Sequence, residues 1–257
     1  MNIRNRVINT LISFLFLGVL ATPAIAEEEK NQQMYLMSQN HFQLAHLSQY
    51  KKDVKEVLNI LRESNFNHSY SASQLSGGRI YWFTPISSYA EIDMLDKSWD
   101  KVWENLSEAQ QAKFKALGVG LISGKDVIIK YDGDLSYEPE SGKEYTYFEG
   151  VTYKFNHGSN DKVKEVAKQI KARCEANKAT QPYRFFWHDI GGEYRSFTVV
   201  SYGENKVHIA QLAAADDKLF EKDKTMAKIW QEAVKHVNVT DSFTGKNLPD
   251  LFYGPTK

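Results

Sequence analysis

The tetrapeptide Val54-Lys55-Glu56-Val57 recurs as Val163-Lys164-Glu165-Val166, 109 residues later. Two further pairs keep the same order: Phe83-Thr84 with Phe197-Thr198, 114 apart, and Asp134-Leu135-Ser136-Tyr137-Glu138-Pro139 with Asp250-Leu251-Phe252-Tyr253-Gly254-Pro255, 116 apart. The last pair, D-L-x-Y-x-P, is the most specific. Three anchors in order, at separations that drift by a few residues, indicate two copies of one unit. Trp103 in DKVW and Trp230 in AKIW extend the match if the second copy carries extra residues before its helix. The expected boundaries are 27–140 and 141–257, with a connection near Ser141-Gly142.

Hydrophobic period separates the elements within each copy. Tyr145, Tyr147, Val151, Tyr153 and Phe155 share one face of an alternating run, which predicts an opening strand over 145–156 and its counterpart over 36–47. Tyr50, Val54, Val57, Leu58 and Leu61, and then Val163, Val166, Ala167, Ile170 and Cys174, repeat near 3.6 and predict a helix in each copy. A hairpin follows in both, with Gly77-Gly78 and Gly191-Gly192 at the turns. Second helices are expected through Trp99, Val102, Trp103 and Leu106, and through Met226, Ile229, Trp230, Ala233 and Val237. Ser107-Glu108-Ala109-Gln110 has a capping-box pattern that opens a further helix in the first copy. Closing strands are read around Val127-Ile128-Ile129 and Val237 to Phe243.

The order β-α-β-β-α-β is that of the ferredoxin-like unit, which leaves one sheet face uncovered. Two copies remove that exposure if their open faces pack together. In this respect the chain resembles the dimeric α/β-barrel superfamily, with both halves in one polypeptide. The resemblance implies an α+β fold of two ferredoxin-like repeats with facing antiparallel sheets, forming an intrachain barrel with a ligand-binding lumen. Superfamily members include cofactor-free monooxygenases, haem-handling enzymes and small stress-induced proteins. A fold-level resemblance transfers activity only weakly.

The N-terminus adds a compartment. Arg4 and Arg6 precede an apolar run, Leu11 to Leu20, and Ala24-Ile25-Ala26 stands directly before Glu27 to Glu29. Charge, apolar core and A-x-A site in that order read as a signal peptide over 1–26, cleaved after Ala26, with a periplasmic or secreted product. Thr22 and Pro23 interrupt the apolar run well short of the roughly 20 residues a spanning helix needs. No membrane anchor is expected after cleavage. The single cysteine, Cys174, excludes an intrachain disulfide. Basic and acidic residues balance at 32 each, and no basic run of five occurs, which argues against nucleic acid as a partner.

No phosphate-binding glycine loop, G-x-S-x-G, H-E-x-x-H or C-x-x-C follows the leader. No metal and no cofactor is expected. His41 and His46, five apart on the predicted first strand, would face opposite sides. His157 and His236 sit near element ends, where solvation is expected. Polar residues gather on the second strand of each copy: His68, Tyr70 and Gln74 in one, Arg184 and His188 in the other, where Tyr183, Phe185 and Trp187 form the opposite, helix-packed face. On this reading all five line the lumen and bind a small, anionic molecule. His188 would act as general base and Arg184 as anion holder, because imidazole changes protonation near neutral pH. The structural alternative pairs Arg184 with an Asp or Glu. A haem reading would need an axial ligand in an apolar pocket, with His46 beside Leu44 and Leu47 as the candidate, and a second function class is a non-catalytic stress or interaction protein. Neither sequence nor resemblance fixes the oligomeric state. Export predicts that protein recovered from the cell envelope begins at Glu27, and N-terminal sequencing that returned Met1 would refute it.

Overall fold

The computed structural model describes residues 32–139 and 144–255. The expected leader, residues 1–26, and the connection at Ser141-Gly142 lie outside the described residues. Strand β1 (Gln32–Phe42) runs through one 3-10 turn (Leu44–His46) into α1 (Leu47–Glu63). After it come β2 (Tyr70–Leu75), β3 (Arg79–Ile86), α2 (Ala90–Glu104), α3 (Glu108–Ala116) and β4 (Leu121–Asp132). The second half has the same order: β5 (Tyr147–Phe155), α4 (Asn160–Asn177), β6 (Tyr183–His188), β7 (Ser196–Gly203), α5 (Lys206–Phe220), α6 (Lys224–His236) and β8 (Val237–Tyr253).

Each half therefore reads β-α-β-β-α-α-β, one helix more than the ferredoxin-like order. In the first half the extra helix is α3, whose Ser107–Gln110 capping box forms as the sequence indicates. In the second half α5 was not legible, because among its side chains only Ile209 is buried and no apolar stripe develops. This changes the expected tryptophan match. Trp103 lies on α2, the first helix of its pair, whereas Trp230 lies on α6, the second of its pair, and is half exposed.

Two compact units divide these elements, one from 34–128 with the stretch beginning at Asn247, the other from 129–246. The long strands β4 and β8 each begin in one unit and end in the other. In the first unit the hydrogen-bonded order is β4-β1-β3-β2-β8, and in the second β8-β5-β7-β6-β4. Strands β4 and β8 take part in both orders. The pairs β1·β3, β2·β3, β4·β6, β5·β7, β5·β8 and β6·β7 are antiparallel.

In the first unit, Val54, Val57, Leu58 and Leu61 of α1 and Leu95, Trp99 and Val102 of α2 pack against Tyr70, Ala72, Ile80 and Trp82 of the sheet. The buried Trp82 indole donates to the Tyr50 hydroxyl at 2.9 Å, so its polar edge is satisfied. In the second unit, Val163 and Ala167 of α4 cover Phe155, Phe185 and Phe197, the last two stacked at 4.6 Å.

This packing corrects the expected face of β2. Tyr70 and Ala72 lie in the helix-side core, and Gln74 accepts a hydrogen bond from Lys51 of α1 at 3.1 Å. The structural counterpart of Tyr70 is Tyr183, on the helix-packed face, and not Phe186 on the face of Arg184. Tyr70 stacks on Tyr253 at 4.8 Å, and Tyr183 sits 6.2 Å from Tyr137. A one-residue slip between the copies reverses every side chain, because the strand period is two.

The D-L-x-Y-x-P segments fasten both halves through their leucines and tyrosines rather than through their acidic side chains. Leu135, Tyr137, Leu251 and Tyr253 are buried, while Asp250 makes only an exposed ion pair with Lys55. Tyr253 donates to the carbonyls of Leu61, at 3.2 Å, and Phe66, at 2.7 Å, around the C-terminus of α1. Tyr137 donates to the carbonyl of Ala179, just past α4, at 2.7 Å. Each segment thus fastens the unit built on the other copy's first helix. Removing the hydroxyl takes a donor from the Phe66 carbonyl in one unit and the Ala179 carbonyl in the other, while the Leu61 carbonyl keeps the Phe66 amide, so Tyr137→Phe and Tyr253→Phe should each cost about 1–3 kcal/mol. Urea denaturation checks this, with the larger loss expected for Tyr253.

Candidate functional site

Alternation along β6 sends Tyr183, Phe185 and Trp187 toward α4, and Arg184, Phe186 and His188 to the opposite face of the second unit's sheet. The antiparallel register places Val200 opposite Arg184 and Thr198 opposite Phe186 on β7, with Tyr131 of β4 across from Phe186 and Ile129 across from His188. The expected split of β6 into an aromatic helix side and a polar side is therefore present.

Arg184 does not stand free on that face. Its Nε donates to one oxygen of Glu138 at 2.7 Å and an Nη to the other at 3.2 Å, while the guanidinium lies 5.1 Å from the Tyr202 ring centroid. This is the two-pronged geometry in which arginine binds carboxylate most strongly. Burial alone would pull the guanidinium down, but the Tyr202 ring and the Glu138 carboxylate outweigh it and hold Arg184 above its ordinary value. Burial pushes the Tyr202 phenol up to about 12, against the opposing pull of Arg184. The structural alternative, an arginine paired with an acid, is what the contacts show.

His188 is held from both sides. Its Nε2 lies 2.8 Å from the Thr198 hydroxyl and its Nδ1 2.9 Å from that of Ser196. Thr198 continues to Thr152 at 2.8 Å, and Ser196 donates to the Glu193 carbonyl at 2.6 Å. Both nitrogens are thus engaged by hydroxyls of the neighbouring strand. Four residues also separate it from Arg184, about 13 Å along a strand.

The concavity lies at the Glu138 end. Among the described residues, a cleft of about 840 Å³ opens beside the C-terminus of α4, within the second unit. Tyr131, Tyr137, Tyr145 and Leu212 supply its apolar walls, and Lys171, Glu175 and Lys178 of the α4 end line the same space with Glu138 and His208. Lys171 donates to the Gly133 carbonyl at 2.9 Å and lies 3.9 Å from Glu175. Lys178 takes a left-handed backbone conformation, φ 53°, as it caps the helix. Arg184 and His188 line none of this cleft. Glu138 links Arg184 to it.

The other expected residues lie elsewhere. His68 is buried beside α2, its Nε2 3.1 Å from the Ser98 hydroxyl, and burial lowers its pKa against an opposing pull from Glu91. Tyr70 and Gln74 face the helices of the first unit. His46 is not on β1 but in the 3-10 turn, against Gly120, and Leu44 beside it is 68% exposed. Neither imidazole fits an axial haem ligand: His188 lacks a free nitrogen and His46 an apolar pocket. Cys174 is a packed thiol, with burial raising its pKa to about 12. The sequence missed the lysine pair at the α4 end, since solvated lysines at a helix terminus carry no distinguishing pattern.

No family model and no curated protein sequence matches the chain. Solved structures do match by fold. An anthrone oxidase-like protein superposes with a TM-score of 0.55 at 11% identity, covering 88% of this chain and 94% of that one. A Lactobacillus acidophilus protein described as a candidate monooxygenase gives 0.51 at 8% identity, over 88% and 97%. A variant of chlorite dismutase from Candidatus Nitrospira defluvii gives 0.51 at 9%, over 87% and 94%. At such identities the likeness concerns the fold alone, and it is that of the dimeric α/β-barrel proteins.

The buried phenols set an alkaline limit. Below pH 10, Tyr202 is protonated in both folded and unfolded chains and adds no pH dependence. Between about 10 and 12 the unfolded chain loses this proton first, so stability should fall as pH rises through that window. The Tyr202 share is at most about 2.7 kcal/mol, reduced by solvent screening of the partly exposed ring. Denaturant titrations from pH 9 to 12 should show a shallower loss for Tyr202→Phe than for the parent.

Proposed function

We propose that this chain binds a small anionic molecule in the cleft beside the α4 C-terminus and performs no chemistry there. The observation that carries the reading is the composition of the cleft wall. Glu138 is neutralised by Arg184, Lys171 and Lys178 outnumber the remaining carboxylate, Glu175, and three tyrosines flank them. A volume of about 840 Å³ falls in the usual range of small-molecule sites. Tyrosine faces suit a planar ligand, and the ammonium groups suit a carboxylate or phosphate on it.

Binding without chemistry is favoured in the cleft because His188, the base the sequence offers, is not among its lining residues. Export after cleavage at Ala26 belongs to the same reading and rests on the charge, apolar run and A-x-A order. Tandem duplication is supported by the three anchors, by the shared element order, and by a tyrosine with a buried hydroxyl at the end of each copy.

Native mass spectrometry of protein purified from its own cells should show a bound small molecule. For a defined probe, 4-hydroxybenzoate titrated calorimetrically should bind, with Lys178→Ala weakening it about tenfold, the loss expected from about 1.4 kcal/mol of charge-assisted contact. Glu138→Gln should strengthen binding by releasing Arg184. Clean apo protein and equal titration curves for these variants would favour the non-catalytic stress or interaction class.

A further inference from the structure

At the other end of α4, Ser159 stands where a helix-capping residue is expected, yet its side chain makes no capping hydrogen bond. The comparable positions of neighbouring helices behave differently. Ser107 caps α3, Asn205 accepts from the His208 amide at the start of α5, and Asp223 accepts from the Thr225 and Met226 amides of α6. The Ser159 hydroxyl instead lies 3.1 Å from Nδ1 of His236, the last residue of α6. The Nε2 of His236 lies 3.0 Å from Glu232, one turn earlier on the same helix.

Hydrogen-bond bookkeeping fixes the proton. A carboxylate only accepts, so in the neutral imidazole the hydrogen sits on Nε2 and the Nδ1 lone pair faces the serine. Glu232 is held below the usual carboxylate range by Lys235 and then by His236, and so stays ionised. A hydroxyl within reach of a base, which is itself oriented by a third group, is the arrangement that activates a serine nucleophile. Ser159 is 8% exposed, which restricts access to small electrophiles. The chain beside it is open: Gly158 has positive φ, and a Cβ built there would meet nothing within 4 Å.

We infer that Ser159 is a nucleophile toward small activated esters, with His236 as its base and Glu232 as the residue that positions His236. In the first step, Oγ bonds to the ester carbonyl carbon while its proton passes to Nδ1. Collapse then breaks the carbon–oxygen bond to the leaving alcohol, which takes that proton from Nδ1. Water cleaves the acyl-serine by the same transfers, releasing the carboxylic acid and restoring the hydroxyl. This inference is independent of the cleft, which lies at the opposite terminus of α4.

The test is covalent labelling of the purified full chain with a small alkyl fluorophosphonate, read by mass spectrometry of the peptide holding Ser159. The adduct should form on Ser159 in the folded parent. His236→Asn should slow it at least tenfold, and Glu232→Gln should slow it less, with melting curves recorded for both. Hydrolysis of 4-nitrophenyl acetate should be abolished by Ser159→Ala. If a variant melts early, rates on the folded parent before and after ethoxycarbonylation of His236 by diethyl pyrocarbonate, with the modified site mapped by mass spectrometry, give the same comparison. Absence of the Ser159 adduct in the folded parent, or a labelling rate indifferent to loss of the imidazole, overturns the assignment.

Discussion

A phenol hydroxyl buried at the end of each repeat is the contact on which the organisation of the chain depends. Tyr253 and Tyr137 each donate to backbone carbonyls released where a first helix stops. A buried carbonyl without a donor is costly, and the phenols supply one to Phe66 and Ala179 and a second to Leu61, which also takes the Phe66 amide. The tyrosine also places an aromatic ring against Tyr70 in one unit and near Tyr183 in the other. In both units one residue thus supplies a hydrogen-bond donor beside a helix end and extends a core.

The first segment follows β4, whereas Asp250 to Tyr253 of the second form the end of β8. β8 pairs with β5 through Lys246, and the residues beyond belong to the first unit. The same geometry brings Glu138 beside Arg184. That pairing turns what looks in sequence like a free cation into a neutralised one, and it moves the attractive charge of the cleft to Lys171 and Lys178. The site is therefore a consequence of how the repeat end is anchored.

The helices of the second unit have separate roles at their two ends. The C-terminus of α4 borders the cleft, and its N-terminus meets the last residue of α6 through Ser159 and His236. Histidines near element ends look solvated in a sequence. Here α6 ends where its final side chain reaches across to a neighbouring helix, and a surface imidazole becomes one with two partners.

Much of the fold was legible because it rests on periodicity. The 3.6-residue spacing of Val54, Val57, Leu58 and Leu61, the alternation from Tyr147 to Phe155, and the Ser107 capping box each express a local physical preference. The glycine hairpins and the repeat itself were equally local. Four things required the tertiary structure: which face of β2 meets the helices, where α5 runs, the Glu138 partner of Arg184, and the hydroxyls around His188. Strand faces invert with a single-residue slip, so Tyr70 could be assigned only once its packing was seen. A helix with one buried side chain leaves no stripe. Partners 46 residues apart, as Glu138 and Arg184 are, have no local signature. Sequence determined the elements because their forces act within a few residues, and tertiary structure decided the site because its charges and hydroxyls meet only after the chain has folded back on itself.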